Sequence, residues 1–233
     1  MQAKRSNVPY EITRWLLRLI FLPSCRISIL HRERSAVSGT WILASNHISH
    51  FDPPVLTVST IRPIDWMAME ELFSHRVADR YLHSVNAFPI RRGKPDRAAL
   101  RIASERLHAG RVVGIFPEGG IRDGAASVLE EGAIRPGFSL VANLAKASVL
   151  PVVILGTDRL YNKRYWSPFR NTRVWVGFGE MIHSVEGASH EAREGLESQL
   201  RTALHTLKAE MVAHFKLSQE DLPKSPLQRM QEQ

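Results

Sequence analysis

Residues 40–54 read TWILASNHISHFDPP, an apolar run that leads into a polar turn and then into two prolines. The apolar run predicts a buried strand over Thr40–Ser45. The prolines predict a helix over Pro53–Ile61, because a proline lacks the N–H that would stay unpaired in a first helical turn. A strand that passes into a helix in this way is typical of an α/β fold. It places His47 in the turn and Asp52 at the helix cap.

The spacing of His47 and Asp52 suits acid–base chemistry. A histidine titrates near neutrality and can take a proton from a hydroxyl, while a carboxylate can hold the ring in the right tautomer. On one continuous helix the two side chains would point about 140° apart, so they can meet only across the turn. Two other interpretations stay open: Asp52 could act only as a helix cap, and His47, His50 and Asp52 could bind a divalent metal.

Strand-like and helix-like segments alternate along the chain. Strands are predicted at Arg26–Leu30, Thr40–Ser45, Ile64–Met69, Ala87–Ile90, Arg111–Phe116, Val149–Leu155 and Arg173–Phe178. Helices are predicted at Pro53–Ile61, Glu70–Ser84, Asp96–Ala109, Phe138–Ala147 and Ser189–Phe215. This alternation predicts a single α/β domain with a mostly parallel central sheet flanked by helices. We expect it to span 25–217, after an N-terminal segment over 1–24 and before a polar, loosely ordered tail over 218–233.

Charge and cysteine content limit the function classes. The 233 residues carry a net charge of +8, which predicts attraction to an anionic partner such as a membrane surface, a phosphorylated ligand or nucleic acid. The single cysteine, Cys25, excludes an internal disulfide and a cysteine-based metal cluster, and it fits a reducing compartment.

The N-terminal segment has an apolar stretch at 15–22, WLLRLIFL, that is shorter than the ~20 apolar residues of a spanning helix. Its tryptophan, aliphatic residues and flanking cations predict an amphipathic helix that lies in a membrane interface. Arg14 and Arg18 are then expected to face lipid phosphates. The alternative is an ordinary helix packed on the core. The residues expected to offer apolar surface are Trp15, Leu16, Leu19, Ile20 and Phe21.

Two further motifs suit a phosphate-bearing substrate. The stretch 88–93, FPIRRG, ends a strand with two arginines, and a guanidinium there can hold a phosphate with paired hydrogen bonds. Because adjacent strand residues face opposite sides, at most one of Arg91 and Arg92 is expected to face a shared pocket unless the strand has ended. In 116–120, FPEGG, the glycines let the backbone approach a ligand, and Glu118 could bind substrate hydroxyls or brace the loop. Arg122 adds positive potential.

These motifs occur in the order Asn-His-x4-Asp, Phe-Pro-Ile-x-Arg, Phe-Pro-Glu-Gly and Val149-Leu150-Pro151-Val152. The order resembles that of the glycerolipid acyltransferases, the 1-acyl-glycerol-3-phosphate acyltransferase type, over roughly Arg26 to Gly179. The resemblance implies that His47 deprotonates the acceptor hydroxyl and that Asp52 supports it. It implies substrate-binding roles for Arg92, on the glycerol phosphate, and for Glu118 and Gly119. Asn46, Arg91 and Arg122 are further candidates for substrate binding in or beside these motifs. The chain departs from the family pattern at Asn86, usually glycine, and at Gly120 and Ile121, usually Thr-Arg.

The resemblance implies an enzyme that moves a fatty acyl group from acyl-CoA or an acyl carrier protein to a lysophospholipid, in phospholipid biosynthesis. It would work on the cytoplasmic side of a membrane as a peripheral or monotopic protein. Neither a metal, a further cofactor nor a nucleic acid partner is expected. Two alternatives remain: a hydrolase in which His47, His50 and Asp52 activate water, with or without a metal, and a basic nucleic-acid or membrane binding module without chemistry.

Overall fold

The computed structural model describes residues 7–91, 93, 96–161, 172–183, 189–225 and 228. Six α-helices lie in these ranges: α1 Val8–Ser24, α2 Asp52–Ser59, α3 Arg76–Ser84, α4 Arg97–His108, α5 Pro136–Ala145 and α6 His190–Phe215. The strands are β1 Cys25–Leu30, β2 Trp41–Ser45, β3 Ile64–Met69, β4 Phe88–Ile90, β5 Val112–Ile115, β6 Ser148–Leu155 and β7 Thr172–Phe178. Every predicted strand is present, to within one residue at each end.

The predicted helix Glu70–Ser84 is divided in the structure. A 3-10 turn covers Glu70–Phe73, and α3 begins only at Arg76. His75 separates the two because its backbone is extended and its Nδ1 accepts a hydrogen bond from the N–H of Val77, which starts a new helix. The apolar spacing alone did not show this break.

The described strands form one seven-stranded sheet in the order β1-β7-β6-β2-β5-β3-β4. All neighbours are parallel except β6 and β7, which confirms the mostly parallel sheet. The central strand β2 pairs with β5 on one side and β6 on the other, and Ala44 lies opposite both Ile115 and Pro151. The chain segments that leave β2, β5 and β6 therefore emerge side by side at one edge of the sheet. In α/β sheets this edge is where ligands bind.

Helices cover both faces of the sheet, and β2 shows how the core is divided. Ile42 and Ala44 face the cluster that α4, α5 and α6 complete, whereas Trp41 and Leu43 face the cluster with α1 and α2. All four residues are buried, as expected for a parallel strand covered on both sides.

Helix α1 packs one face on this fold. The Tyr10 hydroxyl accepts a hydrogen bond of 2.9 Å from the Ile64 N–H, and Phe21 is buried in the core. The Arg14 guanidinium donates to the carbonyls of Thr60 and Ile61 just beyond α2. The prediction that Arg14 meets lipid phosphates is therefore wrong, because its charge is buried against these carbonyls. Within the described ranges, none of the helices has the length and apolar character that crossing a bilayer requires.

Residues 218–225 correct the prediction of a loosely ordered tail. Asp221 is buried and pairs with Arg159, 3.2 Å away, and the Lys224 N–H donates to the Asp158 carboxylate at 3.1 Å. This segment therefore docks on the turn that follows β6. Most of the remainder of the predicted tail lies outside the described residues.

Candidate active site

His47 and Asp52 meet across the turn between β2 and α2. The His47 Nδ1 lies 2.8 Å from the Asp52 Oδ2, and the same oxygen accepts the N–H groups of Ile48 and Ser49 at 2.8 Å each. Asp52 is the first residue of α2, and its side chain turns back into the turn instead of capping the helix. The interpretation of Asp52 as a helix cap is therefore wrong. The carboxylate instead fixes the turn and the imidazole together.

The His47 ring is fixed on its faces as well. It stacks on the Phe116 ring, with centroids 3.9 Å apart and planes inclined by 15°, and Phe116 in turn stacks on Trp66. The Nδ1–H donates to a carboxylate, so Nε2 carries the lone pair. Nε2 accepts no hydrogen bond from any residue that the structure describes. It is the ring nitrogen that can take a proton from a substrate.

Glu118, which follows β5, holds the backbone of the same histidine. Its Oε2 accepts the His47 N–H at 2.7 Å, and its Oε1 accepts the Val128 N–H and the Ser127 hydroxyl. The side chain is buried, and this desolvation raises the pKa of the Glu118 carboxyl to about 7. These contacts agree with the bracing role considered for Glu118. Its binding of substrate stays a prediction.

Asn46 links the turn to the neighbouring strand. Its side-chain amide donates to the Ile154 carbonyl and its Oδ1 accepts the Ile154 N–H, both at 2.9 Å. The amide thus extends the pairing of β2 and β6 by one residue beyond the end of β2. Asn46 is fully buried in this position, and its substrate-binding role stays a prediction.

Gly119 and Arg122 shape the loop after β5. Gly119 has a φ of +71°, which favours glycine, and a Cβ there would lie 3.2 Å from the Arg135 side chain. The Arg122 N–H donates to the His47 carbonyl at 2.9 Å. Although Gly120 and Ile121 differ from the family pattern, the backbone that follows them still contacts His47, and it places Arg122 beside the histidine.

The second motif is described only in part. Arg92 lies outside the described residues, so its predicted contact with phosphate stays a prediction. Arg91 is exposed, and its Nε lies 3.5 Å from the Asp96 carboxylate, which also accepts the Arg91 N–H. Asn86, where the family usually has glycine, has a φ of +67°. Asparagine tolerates this left-handed conformation better than most residues, so the backbone can turn here without glycine.

His50 does not join the pair. It is exposed, its N–H donates to the Tyr161 hydroxyl at 3.1 Å, and its ring meets Tyr161 edge-on. A set of three histidine, cysteine or acidic side chains placed to hold a metal ion does not occur in the described part of the chain. His47, His50 and Asp52 are therefore not arranged as the ligand set that the spacing allowed.

A family model for acyltransferases matches residues 26–155, more than half of the chain. This chain belongs to the acyltransferase family. The recognition of a glycerolipid acyltransferase from four ordered motifs is confirmed, and with it O-acyl transfer as the reaction class. The matched range contains His47, Asp52 and Glu118, so the geometry above is that of this acyltransferase.

Individual relatives agree. The chain is 22% identical over 200 residues to a 1-acyl-sn-glycerol-3-phosphate acyltransferase of Bacillus subtilis (strain 168), covering 85% of this chain and 95% of that protein. It is 25% identical to the enzyme of the same name from Streptococcus pneumoniae, covering 73% and 61%. The crystal structure of the 1-acyl-sn-glycerophosphate (LPA) acyltransferase PlsC from Thermotoga maritima superposes with a TM-score of 0.63 at 25% identity, covering 87% and 80%.

One contact of the acyltransferase site was not predicted from the sequence. The Thr157 hydroxyl donates to the Asp52 Oδ1, the carboxylate oxygen that faces away from His47. Thr157 follows β6 directly after Gly156. The only available signal was a small polar residue behind the end of a buried strand, at the edge where ligands bind.

Proposed function

We propose that this acyltransferase moves a fatty acyl group from an acyl thioester, either acyl-CoA or an acyl carrier protein, to the free hydroxyl of 1-acyl-sn-glycerol-3-phosphate. The observation that carries the proposal is the His47–Asp52 pair, in which Nδ1 is bound and Nε2 is left as a base. The acceptor comes from the names of the relatives in Bacillus subtilis, Streptococcus pneumoniae and Thermotoga maritima.

In the proposed reaction the acceptor oxygen attacks the thioester carbonyl while His47 Nε2 takes the hydroxyl proton. The new C–O bond forms, the C–S bond breaks, and the imidazolium returns the proton to the departing thiolate. The Asp52 carboxylate, 2.8 Å from Nδ1, stabilises the positive ring between these steps. The scheme requires neither a metal nor a covalent acyl-enzyme.

The experiment incubates the protein with an acyl thioester, with and without 1-acyl-sn-glycerol-3-phosphate, and identifies the products by mass spectrometry. We expect a diacylated product that depends on the acceptor. His47→Ala should lower the rate by at least about 10²–10⁴-fold, the usual contribution of a general base. His50→Ala, the matched control on an exposed histidine of the same turn, should stay near wild type. Free fatty acid as the main product, with equal losses in both variants, would instead identify the hydrolase.

For the acceptor phosphate, we propose Arg92 as the binding residue. The proposal is supported by Arg91, the preceding arginine, which is engaged by the Asp96 carboxylate. Arg92→Ala should weaken binding of the phosphate-bearing acceptor by about 1.5–3 kcal/mol, the worth of a hydrogen bond to a charged group. Arg91→Ala is the matched control and should have a smaller effect. Equal losses for phosphorylated and neutral acceptors in the Arg92 variant would contradict the assignment.

We also propose that α1 binds a membrane surface, on the cytoplasmic side, so that the enzyme can reach its lipid acceptor. The face of α1 opposite the core exposes an apolar stripe formed by Val8, Ile12, Trp15, Leu16, Leu19 and Ile20. Trp15 is 58% exposed, and Arg18 is exposed on the same helix. A continuous apolar face of this kind with a nearby cation suits the interface of an anionic bilayer.

Point substitutions test this proposal better than a deletion, because removing α1 would also remove Tyr10, Arg14 and Phe21 from the core. The wild type should sediment with vesicles of anionic phospholipid, and high salt should weaken this binding without abolishing it. The double variant Trp15→Glu/Leu19→Glu should lose binding. Leu144→Glu is the matched control, since Leu144 is 54% exposed on α5, across the sheet. Unchanged sedimentation of the double variant would reject the proposal.

A further inference from the structure

We propose that Thr157 is a positioning residue for the catalytic pair, acting through Asp52; this inference rests on the proposed function. The Asp52 carboxylate is completely buried, and its Oδ2 is occupied by His47 and two backbone N–H groups. Its Oδ1 accepts the Thr157 hydroxyl. A carboxylate can rotate about its bond to Cβ, so a fixed donor on the second oxygen determines where the first oxygen points. The threonine therefore sets the direction from which Asp52 meets the imidazole.

The backbone at Thr157 is built for this contact. Gly156, with a φ of +88°, turns the chain sharply at the end of β6. A Cβ at Gly156 would lie 2.4 Å from the Arg173 carbonyl oxygen, so another side chain does not fit there without displacement of β7. The turn brings Thr157 under the carboxylate and buries it completely.

The segment that carries Thr157 is held at its end and in its middle. The 3-10 turn Thr157–Tyr161 ends at a tyrosine whose hydroxyl accepts the His50 N–H, on the catalytic turn itself. In its middle, Arg159 donates to the Glu220 carbonyl at 2.6 Å and pairs with Asp221. Thr157 thus belongs to an element that contacts the catalytic turn at Tyr161 and is also held from outside that turn by residues 220–221. Such a fixed outer group is what keeps a catalytic pair in its productive geometry.

The test compares Thr157→Val, which keeps the shape but removes the donor, with Thr157→Ser, which keeps the donor. Thr157→Val should lower kcat for acyl transfer about 10- to 100-fold, as expected for loss of a hydrogen bond to a charged group, with little change in KM for the lysolipid. Thr157→Ser should restore most of kcat. The matched control is Thr60→Val, which removes another fully buried threonine hydroxyl, one that donates to the Leu56 carbonyl.

A second readout does not depend on activity. The Nδ1–H proton of His47, hydrogen-bonded to Asp52, should give an NMR resonance that His47→Ala identifies by its loss. Thr157→Val should shift or broaden this resonance, and Thr157→Ser and Thr60→Val should not. If Thr157→Val folds poorly, Thr157→Ala is judged by the same criteria.

The possible outcomes separate the two proposals. An unchanged kcat and resonance in the Thr157→Val variant, with an active wild type, would overturn the role of Thr157. A drop in kcat that Thr157→Ser does not reverse would also overturn it. If the wild type makes no acylated lipid, the proposed function is rejected. If the His47 resonance nevertheless responds to Thr157→Val, the proposal that Thr157 positions His47 still stands.

Discussion

Asp52 and Glu118 are two buried carboxylates that bind the same histidine, but they hold different parts of it. Asp52 binds the imidazole ring, and Glu118 binds the backbone N–H. The ring of His47 changes its charge during the proposed reaction, whereas the donors around Glu118 are all neutral groups. In the proposed reaction the charge of Asp52 stabilises the imidazolium, whereas Glu118 accepts only from neutral donors and its burial raises its pKa to about 7.

The two carboxylates also obtain their donors differently. Two of the four donors to Asp52 are backbone N–H groups of its own turn. Besides the His47 N–H, the donors to Glu118 are the Ser127 hydroxyl and the Val128 N–H. Helix α6 packs against this loop, where the His205 ring contacts the Val128 carbonyl at 3.0 Å. The carboxylate that binds the ring is thus held by both its own turn and the distant Thr157, whereas the backbone of the histidine is held through Glu118 by packing of distant elements.

Among substitutions at the two carboxylates, the largest effect on the rate is expected from Asp52→Asn. The amide can keep its oxygen toward the two backbone N–H groups and His47, so the geometry survives while the charge is lost. We expect kcat to fall roughly 100-fold, because the imidazolium loses a hydrogen bond to an anion worth about 1.5–3 kcal/mol. The control is Asp79→Asn, which neutralises the other, exposed His–Asp pair with His83 and should leave kcat unchanged. A kcat near that of the wild type in Asp52→Asn would mean that the charge is not used.

Glu118→Gln should act mainly on stability, and in a pH-dependent way. The pKa of Glu118 is raised to about 7 in the folded protein against 4.5 in the unfolded chain, so the folded state holds the proton more tightly. The stabilisation that the bound Glu118 proton gives the folded state is complete below pH 4.5, decreases as the pH rises, and is lost above about pH 7. Over this range the free energy of unfolding should fall by up to about 3 kcal/mol.

Denaturant unfolding of wild type and Glu118→Gln at pH 5 and pH 8 measures this contribution. The wild type should lose more stability between these two values than the variant, in which no proton is released. Parallel curves would show that Glu118 does not titrate in this range.

The smallest effect is expected from Ser127→Ala. It removes one donor to Glu118 and the 3.3 Å acceptor of the Leu129 N–H, and it leaves the Val128 and His47 N–H groups in place. We expect a loss of about 1 kcal/mol in the free energy of unfolding, the net worth of a typical hydrogen bond, and a rate close to that of the wild type. Ser84→Ala, on a half-buried serine whose hydroxyl donates to the Tyr81 carbonyl, is the control for the substitution itself. A large loss of rate would show that Glu118 controls the chemistry and would remove the distinction between the two carboxylates.

The parts of the site that were predicted are those that depend on neighbours in sequence. His47 and Asp52 are five residues apart, and the prolines after Asp52 fix where the helix begins, so their meeting followed from the spacing. The strands followed from their apolar runs. The contact of Thr157 with Asp52 joins residues 105 positions apart and leaves no trace in the local pattern.

Arg14 is a case in which the sequence predicted a contact that the structure does not have. Next to an apolar helix face it suggested a cation for lipid phosphates, since the sequence displays only the neighbours of Arg14 on α1. Its actual acceptors, the carbonyls of Thr60 and Ile61, are brought there by tertiary packing. The predicted start of α3 was wrong for a related reason. The cap at His75 depends on a hydrogen bond, which the spacing of apolar residues does not reveal.

The pairing of β1 with β7 has a consequence for synthesis of the chain on the ribosome. β1 and the apolar stripe of α1 emerge early, but β1 has no partner in the sheet until β7 has been made. A contact that closes so long a loop forms late. For most of translation the nascent chain therefore presents an unpaired edge strand and an apolar helix face, both of which favour aggregation. Early contact of α1 with a lipid surface would shield that face while the rest of the enzyme is completed.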